Sequence, residues 1–217
     1  MKRTSLGTHI GLVILAALLA LPVAQTASPV EAKGRSRTVT RTFRNPAVIQ
    51  LLTAQTSPVS ASPYPSPIAV SGRGGKIRDV NVRLTRFSHD DPDEVAVLLV
   101  GPRGQTATVM AEIGAETQII SLTLRLDDEA ATPLTDTGLR SGTFRPVNDV
   151  GAAIAFNAPA PPVTSANAAL SVFDGTNPNG TWQLFVQDRN GASDTGAFAG
   201  GWELEITTKA KAKKKGR

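Results

Sequence analysis

Two segments near the end of the chain, each opening with tryptophan, constrain the fold more than any other feature. In residues 182–186 and 202–206, the first, third and fifth positions are large apolar residues. A period of two is typical of a strand that buries one face. Residues 188–196, which lie between the two segments, are rich in Asn, Asp and Gly and indicate a turn or loop. The end of the chain therefore predicts two antiparallel strands.

Strand-like segments recur along the rest of the chain, separated by turn residues. Four prolines in residues 57–67 predict an extended connector leading into residues 68–71, since proline has no N–H to donate to a ladder. No stretch of ten or more residues after position 32 has a helical period. The pattern predicts an all-β, jelly-roll-like antiparallel sandwich of about eight or nine strands. The other candidate strands are residues 38–43, 48–53, 77–87, 95–100, 106–110, 120–126, 152–156 and 168–173.

The first 32 residues predict a secretory signal peptide. A positively charged start precedes the apolar run 10–21, which is short for a bilayer span. Cleavage is expected after Ala27 or after Ala32, and an uncleaved membrane anchor is the alternative. The mature protein is therefore expected to be secreted. Because the chain has no cysteine, its stability must come from core burial without disulfides.

Charge divides the remaining chain into three parts. Residues 33–45 form a basic leader with a first strand expected from position 38, residues 46–208 form the sandwich, and residues 209–217 form a basic tail expected to be disordered. The net charge is +5, yet between Asn45 and Thr208 ten basic residues face 17 acidic ones. The tail is interpreted as a solvated end or as a contact for an anionic surface. No aromatic residue interleaves with the basic residues of the tail, so no specific nucleic-acid partner is predicted.

Several short motifs follow one another in a characteristic order through residues 77–206. In this order they resemble the P domain (Homo B domain) of proprotein convertases and kexin-like bacterial subtilases, and the resemblance extends across residues 38–208. It implies a jelly roll of eight or nine strands that supports a protease, with a structural role for His89. The motifs are Phe87-Ser-His-Asp90, Asp93-Glu-Val-Ala-Val-Leu-Leu-Val-Gly-Pro-Arg-Gly-Gln-Thr106, Leu124-Arg-Leu-Asp-Asp128, Gly142-Thr-Phe-Arg-Pro146, Val172-Phe-Asp-Gly175, Asn179-Gly-Thr-Trp182, Val186-Gln-Asp188, Asp194-Thr-Gly196 and Trp202-Glu-Leu204.

The chain also departs from the family pattern. Asp93-Glu-Val stands where Asp-Leu is common, and the turn that begins at Gly101 reads Gly-Pro-Arg-Gly-Gln instead of Pro-x-Gly-Thr. No subtilisin-like catalytic domain precedes the motifs in this sequence. We therefore expect a stand-alone module whose partner, an exported protease or a cell-surface component, is a separate protein.

The chemistry-bearing residues predict that the protein is not an enzyme. With His9 inside the signal segment, His89 is the one histidine left for a Ser-His-Asp triad, and no Gly-x-Ser-x-Gly pattern accompanies it. The absence of cysteine excludes thiol catalysis and Cys/His zinc sites. His89 is interpreted as a strand-end residue satisfied by local hydrogen bonds. A carboxylate pair for glycoside hydrolysis remains the alternative, although nothing places two acids across a cleft.

The loop after the first tryptophan segment is a candidate calcium site. Asp188, Asn190 and Asp194 supply hard side-chain oxygens, and Gly191 permits a tight turn. The alternative is that these side chains bond their own backbone and shape the turn. The secondary candidates for calcium are Asp90, Asp91 and Asp93, and Asp127 with Asp128.

Two further functions remain open beside the non-catalytic interaction or stabilising module. Trp182 and Trp202 are expected in the core, but a sugar-stacking platform is the alternative. A calcium-assisted carbohydrate-binding or adhesive jelly roll is accordingly the second function. A small carboxylate-based hydrolase is the third.

Overall fold

The computed structural model describes residues 37–54, 56–191 and 194–210. Contacts divide the chain into Met1–Lys33 and Gly34–Arg217, and all described residues belong to the second unit. The predicted signal peptide with its two cleavage positions, leader residues 33–36 and tail residues 211–217 lie outside the described residues. In the described part, no helix is both long enough and apolar enough to cross a membrane.

The described residues form thirteen strands and two short 3-10 helices. Eight strands have five or more residues, in line with the eight or nine predicted, and the other five have only two or three. The strands are β1 (Arg37–Asn45), β2 (Ile49–Leu51), β3 (Val59–Ser60), β4 (Ser66–Val70), β5 (Ile77–His89), β6 (Val95–Val100), β7 (Thr106–Ala111), β8 (Ile119–Leu126), β9 (Gly142–Phe144), β10 (Val147–Asn148), β11 (Gly180–Asp188), β12 (Gly196–Phe198) and β13 (Trp202–Ala210). The 3-10 helices are Pro92–Glu94 and Leu170–Phe173.

The strands form two sheets that share one apolar interior. The first sheet has the order β1-β13-β5-β12-β2, with β8 also paired to β5 and β9 paired to β8. The second has the order β10-β7-β6-β11-β3, with β4 also paired to β11. Every strand pairing is antiparallel except β7 with β10 and β8 with β9. The predicted all-β antiparallel sandwich is confirmed.

Burial along the two central strands follows the residue pattern. In β5, Val80, Val82 and Leu84 are buried while Arg83 is exposed, as alternation predicts, and Asn81 on the polar face is buried as well. All six residues of β6 are buried, as expected for a strand covered on both faces.

The two tryptophan strands are present, but they are not neighbours. β11 lies in the second sheet beside β6, whereas β13 lies in the first sheet between β1 and β5. Trp182 and Trp202 are each 0 % exposed, so they enter the core from opposite layers. Core packing is thereby confirmed, and a sugar-stacking platform on these two rings is wrong because neither reaches the surface.

Strand β8 interrupts the alternation that its sequence suggests. The pattern predicts Ile120 on the same face as Leu122 and Leu124, yet Ile120 is 72 % exposed and Ile119 is buried instead. The backbone of Ser121 has a φ of 56°, in the left-handed region, and the register with β5 shifts in this part of β8. The irregularity turns the side chains before it onto the opposite face.

Three proline-rich or apolar segments differ from their predictions. Pro67 lies within β4 opposite Gln183, so residues 57–67 are more than a connector. β4 pairs only with β11 among the described strands, and an edge strand tolerates the missing N–H. Residues 152–156 form no strand, and residues 168–173 contribute a 3-10 helix, because short apolar runs do not distinguish strand from other buried structure.

Both ends of the described chain meet in one pair of strands. β1 pairs with β13 so that Arg37 lies opposite Ala210. Lys209 and Ala210 therefore belong to β13, and the sandwich extends two residues beyond the start predicted for the basic tail. The first residue of β1 and the last residue of β13 therefore lie side by side on the first sheet.

Candidate functional site

Two buried polar side chains meet where the sheets come together. His89 ends β5 in the first sheet, and Asp188 ends β11 in the second. Nε2 of His89 lies 3.2 Å from Oδ2 of Asp188, and both side chains are 0 % exposed. The N–H of Asp91 donates to Nδ1 of His89 over 3.1 Å, which leaves the ring proton on Nε2, facing the carboxylate. The two groups are misaligned for a strong hydrogen bond, so the contact is mainly electrostatic.

Glycines allow the backbone to close around this pair. Gly196 in β12 lies opposite His89, where a Cβ would come within 2.1 Å of the imidazole Cδ2. A Cβ on Gly191 would lie 2.9 Å from Cγ of Asp188. The N–H of Asn190 donates to Oδ1 of Asp188 over 2.9 Å. His89 ends its strand as predicted, and its Nδ1 accepts a local hydrogen bond, whereas its Nε2 has no hydrogen-bond partner among the described residues.

The predicted calcium residues cluster at this end of the sandwich, but they do not form a closed set of ligands. Asp188 faces His89, and Nδ2 of Asn190 donates to Oε1 of Glu94 over 2.6 Å. Burial raises the pKa of Glu94, and the negative charge of Asp194 adds to this increase. Within the described residues, no group of three or more His, Asp or Glu side chains is arranged to hold a metal ion. Calcium at Asp188, Asn190 and Asp194 stays a prediction.

Two acidic residues lie beside the predicted calcium loop although no sequence pattern placed them there. Asp91 is a secondary calcium candidate from another segment, and Glu94 is not a candidate. Burial raises the pKa of Glu94, and the charges of Asp188, Asp91 and Asp194 raise it further. Oε2 of Glu94 and Oδ1 of Asp91 are buried without a hydrogen-bond partner among the described residues. A backbone bond from Arg189 to the carbonyl of Glu94 brings the two loops together over 2.8 Å, a pairing with no signal in the spacing.

The secondary calcium candidates each have a part in the fold. Asp90 accepts bonds from Gln118 and from the N–H and hydroxyl of Thr195, and these bonds lower its pKa. Asp127 pairs with Arg125. Asp128 accepts the first two N–H groups of the helix Leu170–Phe173, at 3.0 and 2.8 Å. Asp90 and Asp128 thus connect segments that are far apart in the sequence, and the default expectation for these acids, purely solvated loops, does not describe them.

An acidic cleft of about 560 Å³ lies beside this end of the sandwich. Burial raises the pKa of Asp93, and the charges of Asp136, Glu112 and Asp91 add to the effect. Arg189 pairs with Glu112 and offsets part of the negative charge. The fold brings together in this cleft carboxylates that are far apart in the sequence. Its acidic lining residues are Asp93, Glu112, Glu116, Asp136 and Asp149.

A second concave feature, the outer groove, lies on the solvent face of the first sheet and has a volume of about 240 Å³. One row of side chains crosses four strands there, with Arg44 opposite Glu203, Glu203 opposite Arg83, and Arg83 opposite Arg125. The lining residues are Thr42, Arg44, Asn81, Val82, Arg83, Arg125, Glu203 and Glu205. This groove was not predicted, because it depends on which strands lie side by side.

Comparison with known proteins finds no family model and no curated protein that matches the chain. One similar solved structure is the complex of the Aeromonas sobria serine protease with the chaperone ORF2, at 12% identity and a TM-score of 0.34, covering 81% of this chain and 28% of that one. Another is the Aeromonas sobria serine protease, at 12% identity and a TM-score of 0.30, covering 76% and 28%. The chain spans just over a quarter of these structures, and a likeness at this level carries no functional argument.

Proposed function

We propose that the chain is a secreted, non-catalytic, P-domain-like β-sandwich that serves as a protein-interaction or stabilising module. Its partner is an exported protease or a cell-surface protein. One observation carries the proposal, namely the open edge of β1. In the described residues β1 pairs with β13 on one side only.

An open edge of this length is a ready template for a partner strand. The nine residues of β1 extend over about 30 Å and, among the described residues, have a neighbouring strand on one side only, although Arg73 already donates to the carbonyl of Val39 over 3.2 Å. Strand addition to such an edge is a common mode of peptide recognition. Arg37 and Arg41 give the edge a positive charge, which favours an acidic extended segment as the partner, whereas Arg44 is paired with Glu203.

The position of His89 supports a role without catalysis. His89 is 1 % exposed, and its two ring nitrogens face the N–H of Asp91 and the carboxylate of Asp188. A general base needs a path to the proton that it removes, and here the protein interior closes that path. The imidazole therefore has a structural role at the point where the two sheets meet.

Site-specific photo-crosslinking tests the edge. A photoreactive residue at Thr38, exposed in β1, is compared with one at Arg103, exposed in the turn after β6. Both variants are incubated with secreted and surface proteins of the source cells. We expect one acidic protein to be crosslinked from Thr38 and not from Arg103. Equal crosslinking from both positions, or recovery of glycan without protein, would contradict the proposal.

A calcium-assisted carbohydrate-binding or adhesive module is the second candidate. The unpartnered carboxylate oxygens of Asp91 and Glu94, next to the Asp188–Asn190–Asp194 loop, are the observation that favours a cation. A cation bound only by the native state raises the melting midpoint. Melts in calcium and in EDTA should therefore differ, and identical melts would remove calcium from the proposal.

The basic tail is proposed as an additional contact with an anionic surface. Because Lys209 and Ala210 are part of β13, the appropriate deletion starts at residue 211. We expect the shortened chain to keep its unfolding free energy and to elute earlier from an anionic resin. Unchanged retention would leave residues 211–217 without this role.

A further inference from the structure

The outer groove contains one arginine that has no ion-pair partner in the part of the chain that the structure describes. Nε of Arg44 lies 3.0 Å from Oε1 of Glu203, so that glutamate is already paired. Nη2 of Arg125 lies 2.9 Å from Oε1 of Glu205. Arg83, at the centre of the same cross-strand row, is exposed and forms no ion pair within the described residues.

The floor of the groove contains an unsatisfied acceptor. Asn81 is 3 % exposed, and its Nδ2 donates to Oδ2 of Asp79 over 3.0 Å and to Oε1 of Glu205 over 3.4 Å. Its Oδ1 is buried and has no hydrogen-bond partner in the described chain. A buried polar atom without a partner is costly, so a donor that reaches Oδ1 gains binding energy. Thr42 adds a hydroxyl on the β1 side of the groove.

We propose that the outer groove binds an acidic sugar, with the carboxylate of a uronic acid on Arg83. A guanidinium fork matches a carboxylate with two parallel N–H bonds. Ring hydroxyls of the same sugar donate to the carboxylate oxygens of Glu203 and Glu205 and to Oδ1 of Asn81, all of which are acceptors. The ligand must therefore carry a carboxylate beside several hydroxyl groups, and a uronic acid has both.

The size and lining of the groove agree with this ligand. Its volume of about 240 Å³ lies just below the range of roughly 300–1,000 Å³ typical of drug-sized ligands, which suits a single ring. Among the described residues no aromatic side chain lines the groove, so affinity comes from polar contacts instead of stacking. The site lies on the sheet face and is independent of the protein partner proposed for the edge of β1.

Calorimetry with tetragalacturonic acid tests the site on the full chain. The matched variants Arg83→Gln and Arg103→Gln remove the same charge from two exposed positions. The basic ends of the chain attract the acidic sugar equally in both variants, so a difference between them isolates the groove. We expect Arg83→Gln to weaken binding about tenfold or more, as loss of a charged hydrogen bond does, and Arg103→Gln to leave it unchanged.

Three outcomes would overturn the proposal. The first is that the unaltered chain does not bind the acidic tetramer, and the second is that both variants lose affinity equally. The third is that a glutamate peptide binds as tightly as the sugar, which would show that the carboxylate alone is recognised. Backbone amide shifts give an independent check, since the sugar should perturb Asn81, Arg83 and Glu203 and leave residues 101–104 unchanged.

Discussion

His89 and Asp188 couple the two sheets through a contact of 3.2 Å between Nε2 and Oδ2, with both side chains fully buried. β5 and β11 end at this point, and the loops that follow them approach one another there. We expect this polar contact at the end of an otherwise apolar interior to fix how the sheets meet, because separating the two groups would leave a buried carboxylate without the ring that faces it.

Removing Asp188 should therefore be costly. Asp188→Ala removes the acceptor of the Asn190 N–H and the carboxylate that faces the buried ring N–H of His89. We expect a loss of about 3 kcal/mol in the free energy of unfolding, measured with urea. Asp149→Ala, at an exposed position, is the matched control and should change little. A loss of less than about 1 kcal/mol for Asp188→Ala would show that the contact does not hold the sheets.

Gly196 should not tolerate a side chain. A Cβ at this position would lie 2.1 Å from the imidazole of His89 and 2.6 Å from the carbonyl of Ser88. We expect Gly196→Ala to cost about 1–3 kcal/mol or more, seen as a lower melting midpoint. Gly74→Ala is the control, since a Cβ there has no atom within 4 Å and its φ is not positive. Similar midpoints for the two variants would contradict the close packing around His89.

Ile120 should behave as a surface residue despite its apolar side chain. It is 72 % exposed, whereas Leu124 in the same strand is 0 % exposed. We expect Ile120→Ser to change the unfolding free energy by no more than about 0.5 kcal/mol and Leu124→Ala to lower it by about 2–5 kcal/mol. A large loss from Ile120→Ser would favour the regular alternation of β8 over the observed irregularity.

Asp93 should destabilise the protein near neutral pH. Burial raises its pKa, and neighbouring carboxylates raise it further, so the native state holds this proton more tightly than the unfolded chain does. The penalty is complete above the raised pKa and disappears as the pH falls below the ordinary carboxyl value of about 4. We expect Asp93→Asn to raise the unfolding free energy at pH 7 by less than about 1 kcal/mol, because the side chain is partly exposed.

Unfolding at about pH 3, where the native carboxyl is already protonated, supplies the comparison for Asp93→Asn. The gain should be absent there. The same gain at both values of pH would mean that the substitution acts through packing and not through charge.

The local pattern of the chain determined which segments are extended and which faces are buried. Alternation in β5 and continuous burial in β6 follow from side-chain period, because each strand residue presents its side chain to the face opposite its neighbour's. The same argument placed both tryptophans in the core. It failed at Ile120, where a single left-handed residue shifts the period, and at residues 168–173, which are too short for the period to identify.

Tertiary structure alone decided which strands are neighbours. Alternation records that a face is buried but carries no information about the strand beside it, so the separation of β11 and β13 into different sheets had no signal in the pattern. Three features depend on which strands lie side by side. They are the contact of His89 with Asp188, the approach of Glu94 to Asn190, and the cross-strand row of Arg44, Glu203, Arg83 and Arg125. The sequence supplied each of these side chains, and the long-range pairing of the strands brought them together.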